Sequence, residues 1–203
     1  MTIDLYIAFV LASVVLVLIP GPNVAVIVAA SIGRGSRYGL VAVAGTSAAM
    51  VLQLALTVLG MTAVLAVLAD GFAWLRWAGV AYLVYLGIRQ WRAAPDGLAD
   101  KSNRGQAKRL FWRGFMVSAT NPKTLLFYGA FFPQFIDPAG DIAAQLALLA
   151  ATFLVVAVVL DSGWALTAGY ARQHLAGRGR LLNRLGGVFL VGAGVGLALA
   201  RRS

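Results

Sequence analysis

The sequence predicts an all-α fold, a polytopic membrane protein of about six transmembrane helices, and three observations support this prediction. Hydrophobic residues make up 61% of the 203 positions and charged residues only 12%, whereas soluble domains are about half apolar and a quarter charged. Several apolar runs approach or exceed the ~20 residues that a helix needs to cross a bilayer. Two of those runs are broken by proline at corresponding places in the two halves of the chain.

The first half of the chain contains three predicted spans, which we name spans 1 to 3. Span 1 runs from about Asp4 to Ala30 and is followed by a short basic turn. Span 2 runs from about Gly39 to Ala69, and Asp70-Gly71 marks the turn after it. Span 3 runs from about Phe72 to Trp91 and leads into a polar linker of about residues 92–110.

The second half repeats this organisation with spans 4 to 6. Span 4 runs from about Phe111 to Phe135, and an acidic turn from Asp137 to Asp141 follows it. Span 5 runs from about Ile142 to Tyr170 and ends in a basic loop. Span 6 runs from about Leu185 to Ala200, which is short for a full crossing. If span 6 does not cross, five spans remain.

Lys and Arg are distributed unevenly between the two sides of these spans. Thirteen of the 17 lie in or beside the turns after spans 1, 3 and 5. Cytoplasmic loops carry an excess of Lys and Arg, so we expect the linker in the cytoplasm and both termini on the periplasmic side.

Each half holds three spans, an odd number, so the second half enters the membrane in the opposite sense to the first. We therefore expect repeat 1 (about 1–91) and repeat 2 (about 111–203) to be inverted copies within one transmembrane domain, 1–203.

Two short breaks interrupt spans 1 and 4. Pro20-Gly21-Pro22-Asn23 divides the first apolar run, and Asn121-Pro122-Lys123 divides the run of span 4. Proline removes a backbone donor, and the groups that it frees must find partners inside the protein when the surroundings are lipid. Two such breaks in corresponding positions predict a transporter's binding site. The alternative is a pair of ordinary proline kinks.

Three polar residues are predicted to lie at the same membrane depth. Lys123, Asn23 and Asp161 are each ten or eleven residues from a basic residue at the cytoplasmic side. At ~1.5 Å per helical residue, each lies roughly 15 Å deep, near the middle of a core that is ~30 Å thick. Intramembrane charges usually face a cavity or a partner.

The predicted site therefore holds a small zwitterion. Lys123 would meet a carboxylate, Asp161 would meet an amino group or carry the coupling proton, and the two Asn amides would bind polar groups. The predicted substrate-binding residues are Gly21, Pro22, Asn23, Asn121, Pro122, Lys123 and Asp161. The alternative is a structural Lys123–Asp161 ion pair that locks spans 4 and 5 together. For Gln53 in span 2, an interhelical hydrogen bond is favoured over a place in the cavity.

Several chemistries are missing from the sequence. The chain contains no cysteine and no glutamate, and its one histidine, His174, lies in a basic loop. It lacks the phosphate-binding loop of ATP-driven proteins. We therefore expect no enzyme activity, no cofactor and no metal site. The net charge of +10 sits in short loops between spans, so we expect contact with membrane lipid and none with nucleic acid.

The chain resembles the LysE/RhtB family of amino-acid exporters in an ordered set of motifs. These motifs are Pro20-Gly21-Pro22-Asn23, the stretch Trp77–Gly87, Arg113-Gly114-Phe115, Asn121-Pro122-Lys123 and Phe131-Phe132-Pro133-Gln134-Phe135. Their order and spacing fit across almost the whole chain. Asp161 falls where members of this family tend to carry an acidic residue.

The resemblance implies a secondary-active exporter in the bacterial inner membrane. Its cargo would be amino acids or close derivatives, such as lysine, threonine, homoserine or homoserine lactone, and transport would be coupled to the proton gradient. The resemblance also allows a homodimer. The alternative function is export of an inorganic cation on the same fold, although the fixed charge of Lys123 argues against it.

Overall fold

The computed structural model describes residues 1–92 and 103–174, together with the isolated positions 184, 188, 191, 192 and 195. All regular structure in these residues is helical, as predicted. The elements are α1 (Ile3–Leu18), α2 (Pro22–Arg34), α3 (Ser36–Arg92), α4 (Asn103–Ala119), α5 (Pro122–Leu126), a π-helical turn (Phe127–Phe131), a 3-10 turn (Phe132–Phe135) and α6 (Ile142–His174).

The first predicted break separates α1 from α2. The Thr2 side chain caps the start of α1 by accepting from the Leu5 amide, and α1 ends at Leu18, before Pro20. Pro22 occupies the first turn of α2, where its missing N–H is no loss. The two helices are bent by 51° at this point. The helix is therefore broken where the sequence predicts it.

The second predicted break separates α4 from α5. Asn121 caps α5, its side-chain oxygen accepting from the Lys123 amide at 3.1 Å. Pro122 again starts the new helix. After α5 the helix changes to a π-helical turn and then to a 3-10 turn that contains Pro133. The prediction of an interruption inside span 4 is confirmed.

The turn predicted at Asp70-Gly71 is wrong. One helix, α3, runs from Ser36 to Arg92 through both residues. Glycine costs a helix only ~1 kcal/mol, and neither residue blocks the backbone hydrogen bonds as proline would. Helical neighbours on both sides outweigh that cost.

The predicted linker also needs a correction. Residues 103–110 begin α4 and are helical, because this stretch contains good helix formers and no proline. Residues 93–102 of the linker lie outside the described residues, as does nearly all of predicted span 6.

Six spans are not established. Within the described ranges, Ser36–Val58 and Ile142–Arg172 are long and apolar enough to cross a membrane, and the bent α1–α2 pair adds a third if it counts as one span. The inverted relation of the two halves stays a prediction.

Helix α2 lies at the centre of the described structure. Every residue from Pro22 to Ser31 is buried, and α2 packs against α3, α4 and α6. A second buried region, which we call the aromatic cluster, joins α1 and α6 to the turns after α5. Its rings are Phe9, Phe127, Tyr128, Phe132 and Phe153.

Glycines allow α3 and α4 to touch backbone to backbone. A Cβ atom on Gly45 would lie 2.0 Å from the Phe111 carbonyl oxygen. A Cβ atom on Gly114 would lie 2.5 Å from the Ala42 carbonyl oxygen. Close approach through small residues is the usual way in which membrane helices associate. This crossing places the end of α4, and hence the second break, beside α2.

Candidate functional site

The two breaks meet through a pair of buried asparagines. Asn121 Nδ2 donates a 2.9 Å hydrogen bond to Asn23 Oδ1. Asn23 Nδ2 in turn donates to Ser118 Oγ at 3.2 Å. Because Asn121 Oδ1 already caps α5, both ends of its amide are in use. The chain of bonds links α4, α5 and the start of α2, and it orients both amides.

Lys123 caps the opened end of α1. Its Nζ donates to the carbonyl oxygen of Ile19, the residue directly after α1. The last carbonyls of a helix have no partner in the helix, and a cation is favoured there by the helix dipole. Gly21 makes room for this side chain, since a Cβ atom on it would lie 3.4 Å from Lys123 Cδ and 3.6 Å from Nζ.

Gln53 forms hydrogen bonds at the second break, between α4 and α5. Its Nε2 donates to the carbonyl oxygens of Ser118 at 3.0 Å and Ala119 at 3.2 Å, both at the end of α4. The interhelical hydrogen bond predicted for Gln53 is confirmed. Each break thus has freed carbonyls that are satisfied by a side chain from another element, as a chain without access to water requires.

Asp161 lies on α6 and is 2% exposed. Its carboxylate and the Lys123 ammonium interact electrostatically. They do not form an ion pair within 4 Å in the described part of the chain, so the alternative of a locking Lys123–Asp161 pair is wrong for this conformation. The ammonium instead binds the Ile19 carbonyl. A cation and a carboxyl group therefore lie near each other without being joined.

A pocket of about 310 Å³, which includes space open to its surroundings, lies between these groups. Five of the predicted site residues line it, namely Gly21, Asn23, Asn121, Lys123 and Asp161. Pro22 is not among the described lining residues, and the backbones of Pro22 and Pro122 start α2 and α5 next to the two asparagines. The structure brings the predicted set together, and its binding of substrate stays a prediction.

One wall of the pocket was missed by sequence reasoning. Thr124 adds a polar group, and its hydroxyl donates to the Asn121 carbonyl at 3.0 Å. The remaining described lining residues are apolar and come from the four helices α1, α2, α3 and α6: Leu16, Val17, Val24, Met50 and Phe153. Phe153 lies eight residues before Asp161 and so on the same face of α6, which is a signal that the spacing contained. For Met50 no such signal existed, because its place depends on how α3 crosses the breaks.

Broken helices with a polar pocket where the breaks meet are typical of secondary transporters. Within that class the chain belongs to the family of LysE type translocators, whose family model matches residues 14–201. It is a membrane translocator and not an enzyme. The family resemblance predicted from the motifs is confirmed.

Individual relatives cover the whole chain. The homoserine/homoserine lactone efflux protein of Salmonella typhimurium strain LT2 is 35% identical, over 100% of both chains. An uncharacterized membrane protein of Vibrio cholerae serotype O1 is 30% identical, over 99% of this chain and 100% of its own. The leucine efflux protein of Salmonella choleraesuis is 29% identical, over 95% of this chain and 94% of its own. No solved structure matches significantly.

Proposed function

We propose that this protein exports amino acids with uncharged side chains, or close derivatives such as homoserine lactone, from the cytoplasm. The observation that carries the proposal is the separated pair of Lys123 and Asp161 in one pocket. An α-amino acid carries a carboxylate and an ammonium group on one carbon. A nearby cation and carboxyl group that are not bound to each other suit both ends of such a molecule.

The other residues that line the pocket favour a substrate whose side chain carries no charge. Among the described residues, Asp161 is the one acidic residue that lines it, so a second ammonium group, as in lysine, would find no partner among them. Met50 and Phe153 offer apolar surface instead. The relatives that are named for efflux of homoserine, homoserine lactone and leucine agree with this choice. For a lactone, Lys123 would donate to the ring carbonyl rather than to a carboxylate.

In the proposed cycle, the Lys123 ammonium alternates between two partners, the Ile19 carbonyl oxygen and the substrate carboxylate. Substrate arriving from the cytoplasm draws the ammonium from the Ile19 carbonyl to its carboxylate, while Asp161 receives the α-amino group. On the far side the substrate leaves and a proton takes its place on Asp161. Release of that proton to the cytoplasm frees Asp161 for the next substrate and couples export to the proton gradient. The proposal includes a bacterial inner membrane and the orientation that the basic loops predict, with both termini periplasmic.

The cation alternative has less support. The carbonyl that would ligate a cation, that of Ile19, is held by the Lys123 ammonium. A metal ion in this pocket would lie beside a fixed positive charge, which repels it.

Proteoliposomes loaded with radiolabelled substrate test the proposal. Efflux of homoserine and leucine should exceed that of lysine, and a proton gradient should accelerate it. In Asp161→Asn we expect gradient-driven efflux to be lost with the protein still inserted, whereas Asp4→Asn, at an exposed position of α1, should transport normally. Normal gradient-driven efflux by Asp161→Asn, or competition by metal salts and not by amino acids, contradicts the proposal.

A further inference from the structure

Tyr128 carries a buried hydroxyl group that the proposed cycle does not use. The residue is 2% exposed, and its OH has no hydrogen-bond partner among the described residues. A buried polar group without a partner is costly and calls for an explanation. A phenylalanine would fill the same space without that cost.

The position of Tyr128 connects it to the pocket. Its ring packs edge-on against Phe153, with centroids 5.3 Å apart and planes at 88°. Phe153 lines the pocket, so Tyr128 lies directly behind that part of the wall.

The same face of α6 leads from Phe153 to Asp161. Phe153, Ala157 and Asp161 follow one another at four-residue spacing and are all buried. Tyr128 and Asp161 interact electrostatically, which agrees with a hydroxyl that lies along this face.

The local backbone is also unusual. Tyr128 lies in the π-helical turn Phe127–Phe131, directly after α5. Single π-helical turns are rare and are frequently found at functional sites. Phe127, the first residue of this turn, follows Lys123 by four residues, so the short helix α5 connects Lys123 directly to the turn that holds Tyr128.

We propose that the Tyr128 hydroxyl is the hydrogen-bond donor for the Asp161 carboxyl group in the state of the cycle that precedes substrate binding. Tyr128 is then a positioning residue, which orients the carboxyl group that receives the amino group or the proton. The bond gives an acceptor to the Tyr128 hydroxyl, which has no hydrogen-bond partner among the described residues in this conformation. A phenol donating to a carboxylate is a strong, charge-assisted pair. This inference rests on the proposed function of Asp161.

Tyr128→Phe tests it, because the variant keeps the ring contacts and removes only the hydroxyl. Removing an unpartnered buried hydroxyl should leave the thermal unfolding midpoint unchanged or raise it. Efflux at low substrate concentration should fall at least about tenfold, since a hydrogen bond to a charged group is lost. Unchanged efflux overturns the proposal.

Tyr6→Phe is the matched control, because Tyr6, on α1, packs against the same aromatic cluster as Tyr128. Tyr6 OH shares a 2.9 Å hydrogen bond with Thr152 Oγ1, so this variant breaks a bond that the structure shows. We expect a lower unfolding midpoint and normal efflux. A purely structural role for Tyr128 predicts the same pattern for both variants, which also overturns the proposal.

Infrared spectroscopy of the purified protein separates this inference from the proposed function. The C=O band of protonated Asp161 is identified by its loss in Asp161→Asn. In Tyr128→Phe that band should move to higher frequency, because its hydrogen bond is gone. If the band moves although wild-type protein exports no amino acid, the pairing stands and the proposed function fails. A band that does not move refutes the pairing.

Discussion

Asn121 donates a 2.9 Å hydrogen bond to Asn23, 98 residues earlier in the chain, and this bond joins the two broken helices. Neither asparagine is held by its own helix alone. Each completes the other's hydrogen bonding at the point where proline has opened the backbone. The pocket exists because this junction holds the start of α2 against the start of α5.

The two roles of Asn121 can be separated by substitution. Asn121→Asp keeps the oxygen that caps α5 and loses the donor to Asn23, whereas Asn121→Ala loses both. We expect Asn121→Ala to lose about 1–3 kcal/mol of stability, since a cap and a buried bond are removed. Both variants should reduce efflux, because Asn23 Oδ1 loses its donor in each and only the bond from Asn23 Nδ2 to Ser118 Oγ remains to orient the amide. Thermal unfolding in detergent and efflux from proteoliposomes measure the two effects. Wild-type efflux by Asn121→Asp would show that the junction does not shape the site.

Lys123→Met removes the ammonium group from the pocket. The Ile19 carbonyl then lacks its donor, so we expect a stability loss of about 1–3 kcal/mol together with the loss of efflux. Lys108→Met, at an exposed position of α4, should change neither. If Lys123→Met exported substrate at the wild-type rate, the proposed role of the Lys123 ammonium in binding substrate would be wrong.

Gly21→Ala tests how closely Lys123 must approach the first break. The new Cβ atom meets the far end of the lysine side chain at 3.4 Å, which is an ordinary contact, and the backbone at Gly21 is extended. Stability should therefore stay within about 0.5 kcal/mol of wild type. Because the pocket is narrowed beside Nζ, the KM for substrate should rise several-fold. An unchanged KM would mean that Lys123 does not need this space during transport.

Gly114→Ala tests the crossing of α3 and α4. Its Cβ atom would meet backbone atoms of Ala42, which cannot move without separating the helices, so we expect a loss of about 1–3 kcal/mol. Gly163→Ala on α6 is the control, because nothing lies within 4 Å of its Cβ position. Unfolding midpoints of the two variants in detergent give the comparison. Equal midpoints would contradict the close contact.

Local chemistry explains which predictions were confirmed. Proline acts on its own backbone and on the preceding turn, so Pro20, Pro22 and Pro122 mark the breaks wherever the chain folds. At Asp70-Gly71 the prediction from local residue types was wrong. These residue types suggested a turn, but α3 continues through them as a helix. Glycine and aspartate weaken a helix by amounts that neighbouring helical residues outweigh.

The sequence by itself determined the helical membrane class, the family and the position of both breaks. Only the tertiary structure decided that Lys123 binds the Ile19 carbonyl and not Asp161, that Met50 and Phe153 complete the pocket, and that Tyr128 lies behind it. The physical reason is that breaks and charges act locally, whereas these contacts depend on how helices cross. Those crossings are set by backbone approach at positions such as Gly45 and Gly114, which no local pattern specifies.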